Sequence, residues 1–87
     1  MQNKEKTIHK GSDRYLFFCP GCEEVHAIGP NWTFNDNFIK PTFNPSVLVT
    51  GHNPIYRCHS FITDGKIQFL EDCSHKLVGK TVELKPF

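Results

Sequence analysis

The stretch Phe17-Phe18-Cys19-Pro20-Gly21-Cys22-Glu23-Glu24-Val25-His26 decides how this chain folds. Two thiols separated by Pro-Gly, with apolar residues on either side, predict a hairpin whose turn is a metal-binding knuckle. A C-x-x-C turn aims both thiolates to one side, glycine relieves the backbone at the bend, and proline pre-sets it. The other two of the four cysteines, Cys58 and Cys73, lie in the second half of the chain. The expectation is therefore two halves joined at one zinc ion, Zn2+, held by Cys19, Cys22, Cys58 and Cys73. Such a closed thiolate site is structural, and its binding energy is folding energy.

Outward from the knuckle, 15–18 and 25–28 read as its two flanking strands. Gly29-Pro30-Asn31 breaks the pattern, 32–34 alternates as a short strand, and Asn35-Asp36-Asn37 signals a turn. In Lys40-Pro41-Thr42-Phe43-Asn44-Pro45-Ser46 the two prolines hold the chain extended and exclude a helix or a central strand. A β-branched strand over 46–50 and a loop at Gly51-His52-Asn53-Pro54 follow. The clearest element is 55–70, where Asp64-Gly65 suits a two-residue hairpin turn. That register pairs Thr63 with Lys66, Ile62 with Ile67, Phe61 with Gln68, Ser60 with Phe69 and Cys58 with Glu71. It also sends the adjacent Cys58 and His59 to opposite faces of the sheet, so the two should not bind the same metal unless a bulge intervenes. Residues 71–79 read as a short helical turn, with Asp72 as N-cap and Gly79 just past its end. A last strand covers 81–84.

The 87 residues make one small domain, in which burial alone leaves a thin margin and a metal staple is useful. Domain organisation is read as a polar N-terminal tail at 1–14 and a single metal-stapled β domain at 15–87. Formal charge is +1, from ten basic and nine acidic residues, so the composition sets up no general field for nucleic acid or an anionic membrane. No apolar run approaches a membrane span, and the first ten residues lack a signal peptide's apolar segment. The location expected is cytoplasmic, where four thiols serve as metal ligands more readily than as disulfides.

Histidines form a second group. His26 follows Cys22 by four residues and His75 follows Cys73 by two, so either can replace a cysteine as ligand. Alternatively His26, His59 and His75 with Asp72 make an open catalytic metal site with a vacant water position. The plainer reading has each imidazole support a sulfur or a carbonyl from outside the ligand set. His9 and His52 read as solvent-exposed. Trp32 and Phe34 suit either a small core or stacking on a partner, and Arg57, Lys76, Lys80 and Lys85 suit either a solvated surface or a basic patch. No phosphate-cradling glycine loop, nucleophile elbow or Ser/His/Asp signature is visible.

The blocks C-P-G-C-x-x-x-H, W-x-F-N, P-T-F-N-P-S-V-L and C-H-S-F-I-T-D-G-K-I-Q-F-L-x-D-C-x-H-x-L-x-G-x-T-V together resemble a domain of unknown function found in small phage and prophage proteins. Members sometimes carry the label ammonia monooxygenase, a name whose membrane spans and copper machinery a chain this short lacks. The resemblance covers 17–84, and Cys19, Cys22, His26, Cys58, His59, Asp72, Cys73 and His75 all occupy motif positions. It implies a phage or prophage origin and a metal-binding role, without supplying a reaction.

The fold expected is mostly β (a small α+β domain), with a zinc-ribbon-like knuckle, antiparallel hairpins, about six or seven short strands and one short helical turn. The function expected is a phage- or prophage-encoded accessory module that binds a host or phage macromolecule, with zinc structural. A protein partner is expected, and nucleic acid is not indicated by charge. The rival is a metal-dependent hydrolase-like enzyme using His26, His59, His75 and Asp72. A nucleic-acid-binding zinc ribbon comes third, by fold analogy alone.

Overall fold

The computed structural model of the chain describes residues 6–52 and 55–87. Eight strands form among them: β1 (Ile8–Lys10), β2 (Tyr15–Cys19), β3 (Glu24–Ile28), β4 (Thr33–Phe34), β5 (Phe43–His52), β6 (Ile55–Thr63), β7 (Lys66–Phe69) and β8 (Thr81–Glu83). They build two antiparallel sheets, one in the order β1-β2-β3 and one in the order β4-β5-β6-β7-β8. The fold is thus mostly β, and the described residues contain no helix. None of it is a helix long and apolar enough to cross a membrane.

The knuckle forms where the sequence puts it. β2 and β3 pair from Tyr15↔Ile28 to Cys19↔Glu24, and Glu23 closes the turn by donating its N–H to the Cys19 carbonyl at 2.7 Å. Alternation then buries Phe17, Cys19, His26 and Ile28 and leaves Val25 and Ala27 outside. The stretch expected as a polar tail contributes more than that. Ile8 lies opposite Phe17 and is fully buried, and Thr7 donates its N–H to the Phe38 carbonyl at 2.9 Å. Ile8 in register with Phe17, with Thr7 and Ile8 bonded to the Phe38 carbonyl, adds β1 to the sheet. Residues 1–5 of that stretch lie outside the described residues.

The β6–β7 hairpin has the predicted register from Thr63↔Lys66 to Ser60↔Phe69, turning at Asp64 (φ 52°) and Gly65 (φ 80°). The expected Cys58–Glu71 pair does not form. β7 ends at Phe69, Leu70 donates its N–H to the His59 carbonyl at 2.9 Å, and the chain turns across the edge of β6. Residues 71–79 are successive turns and not the expected helical turn. Asp72 and Ser74 engage β6 instead of capping a helix, and Gly79 (φ 75°) takes the left-handed backbone.

β5 corrects the reading of the prolines. It runs through Pro45 and lies between β4 and β6, interior to the sheet at Phe43 and Asn44. The ladder adapts: the pairing shifts between Phe43 and Val47, so the proline, which has no N–H to give, sits in an irregularity. His52 falls at the end of β5, while Asn53 and Pro54 of the expected loop lie outside the described residues.

The core lies between the sheets. Ile8, Phe17 and Ile28 from one meet Phe43, Val47, Ile62, Ile67 and Phe69 from the other. Phe34 stacks on Phe43 at 4.5 Å and meets Tyr15 at 4.6 Å, so the aromatic residues of 32–34 serve packing. On the inner face Cys58, Ser60 and Ile62 are buried, whereas Arg57 and Phe61 are exposed and His59 is half-buried on the outer face. That alternation positions everything described next.

Candidate functional site

Two clusters of reactive side chains sit on opposite sides of β6. On the inner side the ligand atoms of Cys19, Cys22, Cys58 and His75 all lie within 4.8 Å of one another and can hold a metal ion. The Cys19 and Cys58 sulfurs are 3.7 Å apart. Two thiolates bound to one tetrahedral zinc at about 2.3 Å each would stand about 3.8 Å apart, so the spacing suits a shared cation. His75 Nε2 is buried without a hydrogen-bond partner, as is His26 Nε2. A buried ring nitrogen left so costs about 1–3 kcal/mol, and a metal removes that cost at His75.

The electrostatics agree. Hydrogen bonding from Cys58 holds the Cys19 thiol well below its ordinary value, and that bond together with burial drives Cys58 well above it. Burial first, then the neighbouring Cys19 charge, pushes Cys22 up to about 11. Protein groups alone therefore favour one thiolate and oppose the next, and a dication is what lets several ionise together.

The knuckle supplies two of these ligands, β6 the third and the 70–75 turn the fourth. Cys73, expected as a ligand, falls outside the group. Its sulfur accepts the His59 N–H at 3.3 Å and its thiol donates to the His59 carbonyl at 3.1 Å. Because β7 stops at Phe69, residue 73 runs alongside the β6 backbone and residue 75 reaches over the knuckle. Gly21 is required there, since a Cβ at that position would run into the His75 imidazole. His26 lies apart from His59, grouped with Cys22 and Glu24.

On the outer side the structure joins three residues that no linear signature connects. Ser46 Oγ lies 2.9 Å from His59 Nε2, and His59 Nδ1 lies 3.1 Å from Asp72 Oδ2. With Nδ1–H donating to the carboxylate, Nε2 is left as acceptor for the serine hydroxyl, the arrangement of a general base oriented by an acid. Ser46 comes from the irregular part of β5, His59 from β6 and Asp72 from the turn after β7. Trp32 holds the backbone at Ser46, its indole N–H shared between the carbonyls of Pro45 (3.1 Å) and Ser46 (3.2 Å).

Of the histidine and aspartate candidates, His59 and Asp72 are brought together, while His26 and His75 belong to the cysteine side. Ser46 was missed. It stands in the P-T-F-N-P-S-V-L block, but reads there only as the first residue of a strand. Cys58 and His59 do take opposite faces of β6, as the hairpin register requires.

Asp72 titrates below its ordinary value of 3.8, chiefly through the hydrogen bond from His59, with Arg57 (3.6 Å away) adding to it. A depressed carboxyl contributes stability in full above the unfolded value and loses it as pH falls through the lower folded value. An NMR titration of the Asp72 carboxyl should thus give a midpoint below 3.8. In His59→Ala the midpoint should move up; an unchanged midpoint would mean that the His59–Asp72 bond does not form.

The bacterial ubiquitination-like system serine protease family, BubE, matches residues 1–70 of the chain, a span that includes Ser46 and His59. No curated protein and no solved structure matches it.

Proposed function

The chain belongs to the BubE family, and we propose that it is a serine hydrolase acting on a polypeptide acyl group, with Ser46 as nucleophile, His59 as general base and Asp72 as the residue that orients it. The observation that carries this reading is the continuous pair of hydrogen bonds from Ser46 Oγ through the two nitrogens of His59 to Asp72. The family's description as a serine protease supports the same chemistry and the polypeptide substrate.

In the proposed reaction Ser46 Oγ attacks the carbonyl carbon as its proton passes to His59 Nε2. The C–N or C–O bond to the leaving group then breaks, and His59 returns that proton to the departing amine or alkoxide. Water, deprotonated by the same imidazole, releases the acyl group and restores Ser46.

Zinc in this reading has no contact with the substrate. Cys58 and His59 are neighbours on β6, and Asp72 and His75 lie three residues apart, so an ion held by Cys58 and His75 would steady two of the three catalytic residues outside. The turn is also stitched to β6 by the bonds of Leu70, Cys73 and Ser74 to His59 and Arg57.

Treatment with a small fluorophosphonate tests the proposal. Intact mass and peptide mapping should find a single adduct on Ser46, formed faster at neutral pH than in acid. A chain that stays unlabelled, or is labelled on another residue, would defeat the hydrolase and return the protein to the class of zinc-stapled binding modules.

A further inference from the structure

Beside the nucleophile one edge of the larger sheet is open. β4 pairs with β5 only at Phe43 and Asn44, so among the described residues β5 has no strand on that side from Ser46 onward. The far side of β6 tells which backbone groups face this edge. His59 gives its N–H to Cys73 Sγ and its carbonyl to the Leu70 N–H, and Arg57 exchanges both its groups with Ser74. These groups therefore point away from β5. In an antiparallel ladder, opposite residues either exchange both bonds or both turn away. Leu48 and Thr50 lie opposite His59 and Arg57, so their N–H and C=O groups point to the open edge. Ser46 precedes this regular stretch, in the irregular part of β5, where the Trp32 indole bonds its carbonyl. Leu48, opposite His59, is itself half exposed (50%).

We propose that this edge is the substrate track: the segment carrying the scissile bond adds to β5 as an extended strand, bonded to the backbone of Leu48 and Thr50, with its acyl carbon delivered to Ser46 Oγ. The inference rests on the serine-hydrolase reading and narrows its substrate to unfolded or tail-like polypeptide. An unpaired edge is an ordinary template for strand addition, and backbone bonds supply the affinity. Here the nucleophile stands on the strand that offers them. Such a track reads main chain, so it excludes proline and N-substituted residues at the pairing positions more strongly than it selects side chains.

The test compares two probes with the same reactive group, an acetylated alanyl diphenyl phosphonate and its version extended by three further alanines. The longer probe should modify Ser46 at least about tenfold faster, the gain expected from one or two net hydrogen bonds. N-methylation at alternate amides of the longer probe should remove that gain, and methylation of the intervening amides should not. Thr50→Pro should still fold, because a proline is tolerated where the strand N–H faces an open edge, and should bring the rate ratio of the two probes near one. Equal rates for both probes, indifference to methylation, or an unfolded Thr50→Pro would each overturn the track while leaving the triad intact. Failure of even the short probe to react would remove the hydrolase reading, and the track with it.

Discussion

Ser46→Ala should lower hydrolysis of a polypeptide substrate by at least about 10⁴-fold, since loss of the nucleophile removes the covalent route altogether. The fold should survive. Ser46 is half-buried and, among the described residues, its side chain bonds His59 alone, so the stability cost is about 1 kcal/mol. The decisive measurement is turnover beside circular dichroism and metal content on the same preparation. Full activity in Ser46→Ala would exclude the triad, and would favour a mechanism built on the histidines of the cysteine side.

Cys58→Ser should have the other large effect, and of a different kind. Structural zinc contributes on the order of 10–16 kcal/mol to small metal-stapled folds, against a total stability of about 5–15 kcal/mol for ordinary domains. The variant should emerge with little zinc and without cooperative unfolding, and strong chelation of the wild type should reproduce that state. Reactivity of Ser46 should disappear together with the fold, because Cys58 and His59 share one strand. The contrast between Cys73 and His75 sharpens the result. Cys73→Ala should keep an equimolar metal content, as its sulfur bonds the His59 backbone. His75→Ala should bind zinc more weakly in competition with a chelator. The reverse pattern would restore the four-cysteine site.

Much of the architecture was legible from local chemistry. Cys19-Pro20-Gly21-Cys22 specified its own turn, and Asp64-Gly65 with the alternating residues around it specified the β6–β7 register and hence the opposite directions of Cys58 and His59. Three of the four candidate ligands followed from that. The fourth did not, because whether residue 73 or 75 reaches the knuckle depends on where β7 ends. That point is set by side chain-to-backbone bonds between distant segments, which leave no periodicity in the sequence.

The catalytic candidates divide the same way. His59 and Asp72 stood out as titratable residues near cysteines, but Ser46 is one hydroxyl among several, thirteen positions from the histidine it meets. By itself the sequence determined a small β domain with a thiolate knuckle, since turn chemistry and alternation act between near neighbours. Only the tertiary structure decided that Ser46, His59 and Asp72 converge, because strand pairing brings β5 against β6 and the turn after β7 back over it, and a hydrogen-bonded triad is a property of space rather than of order along the chain.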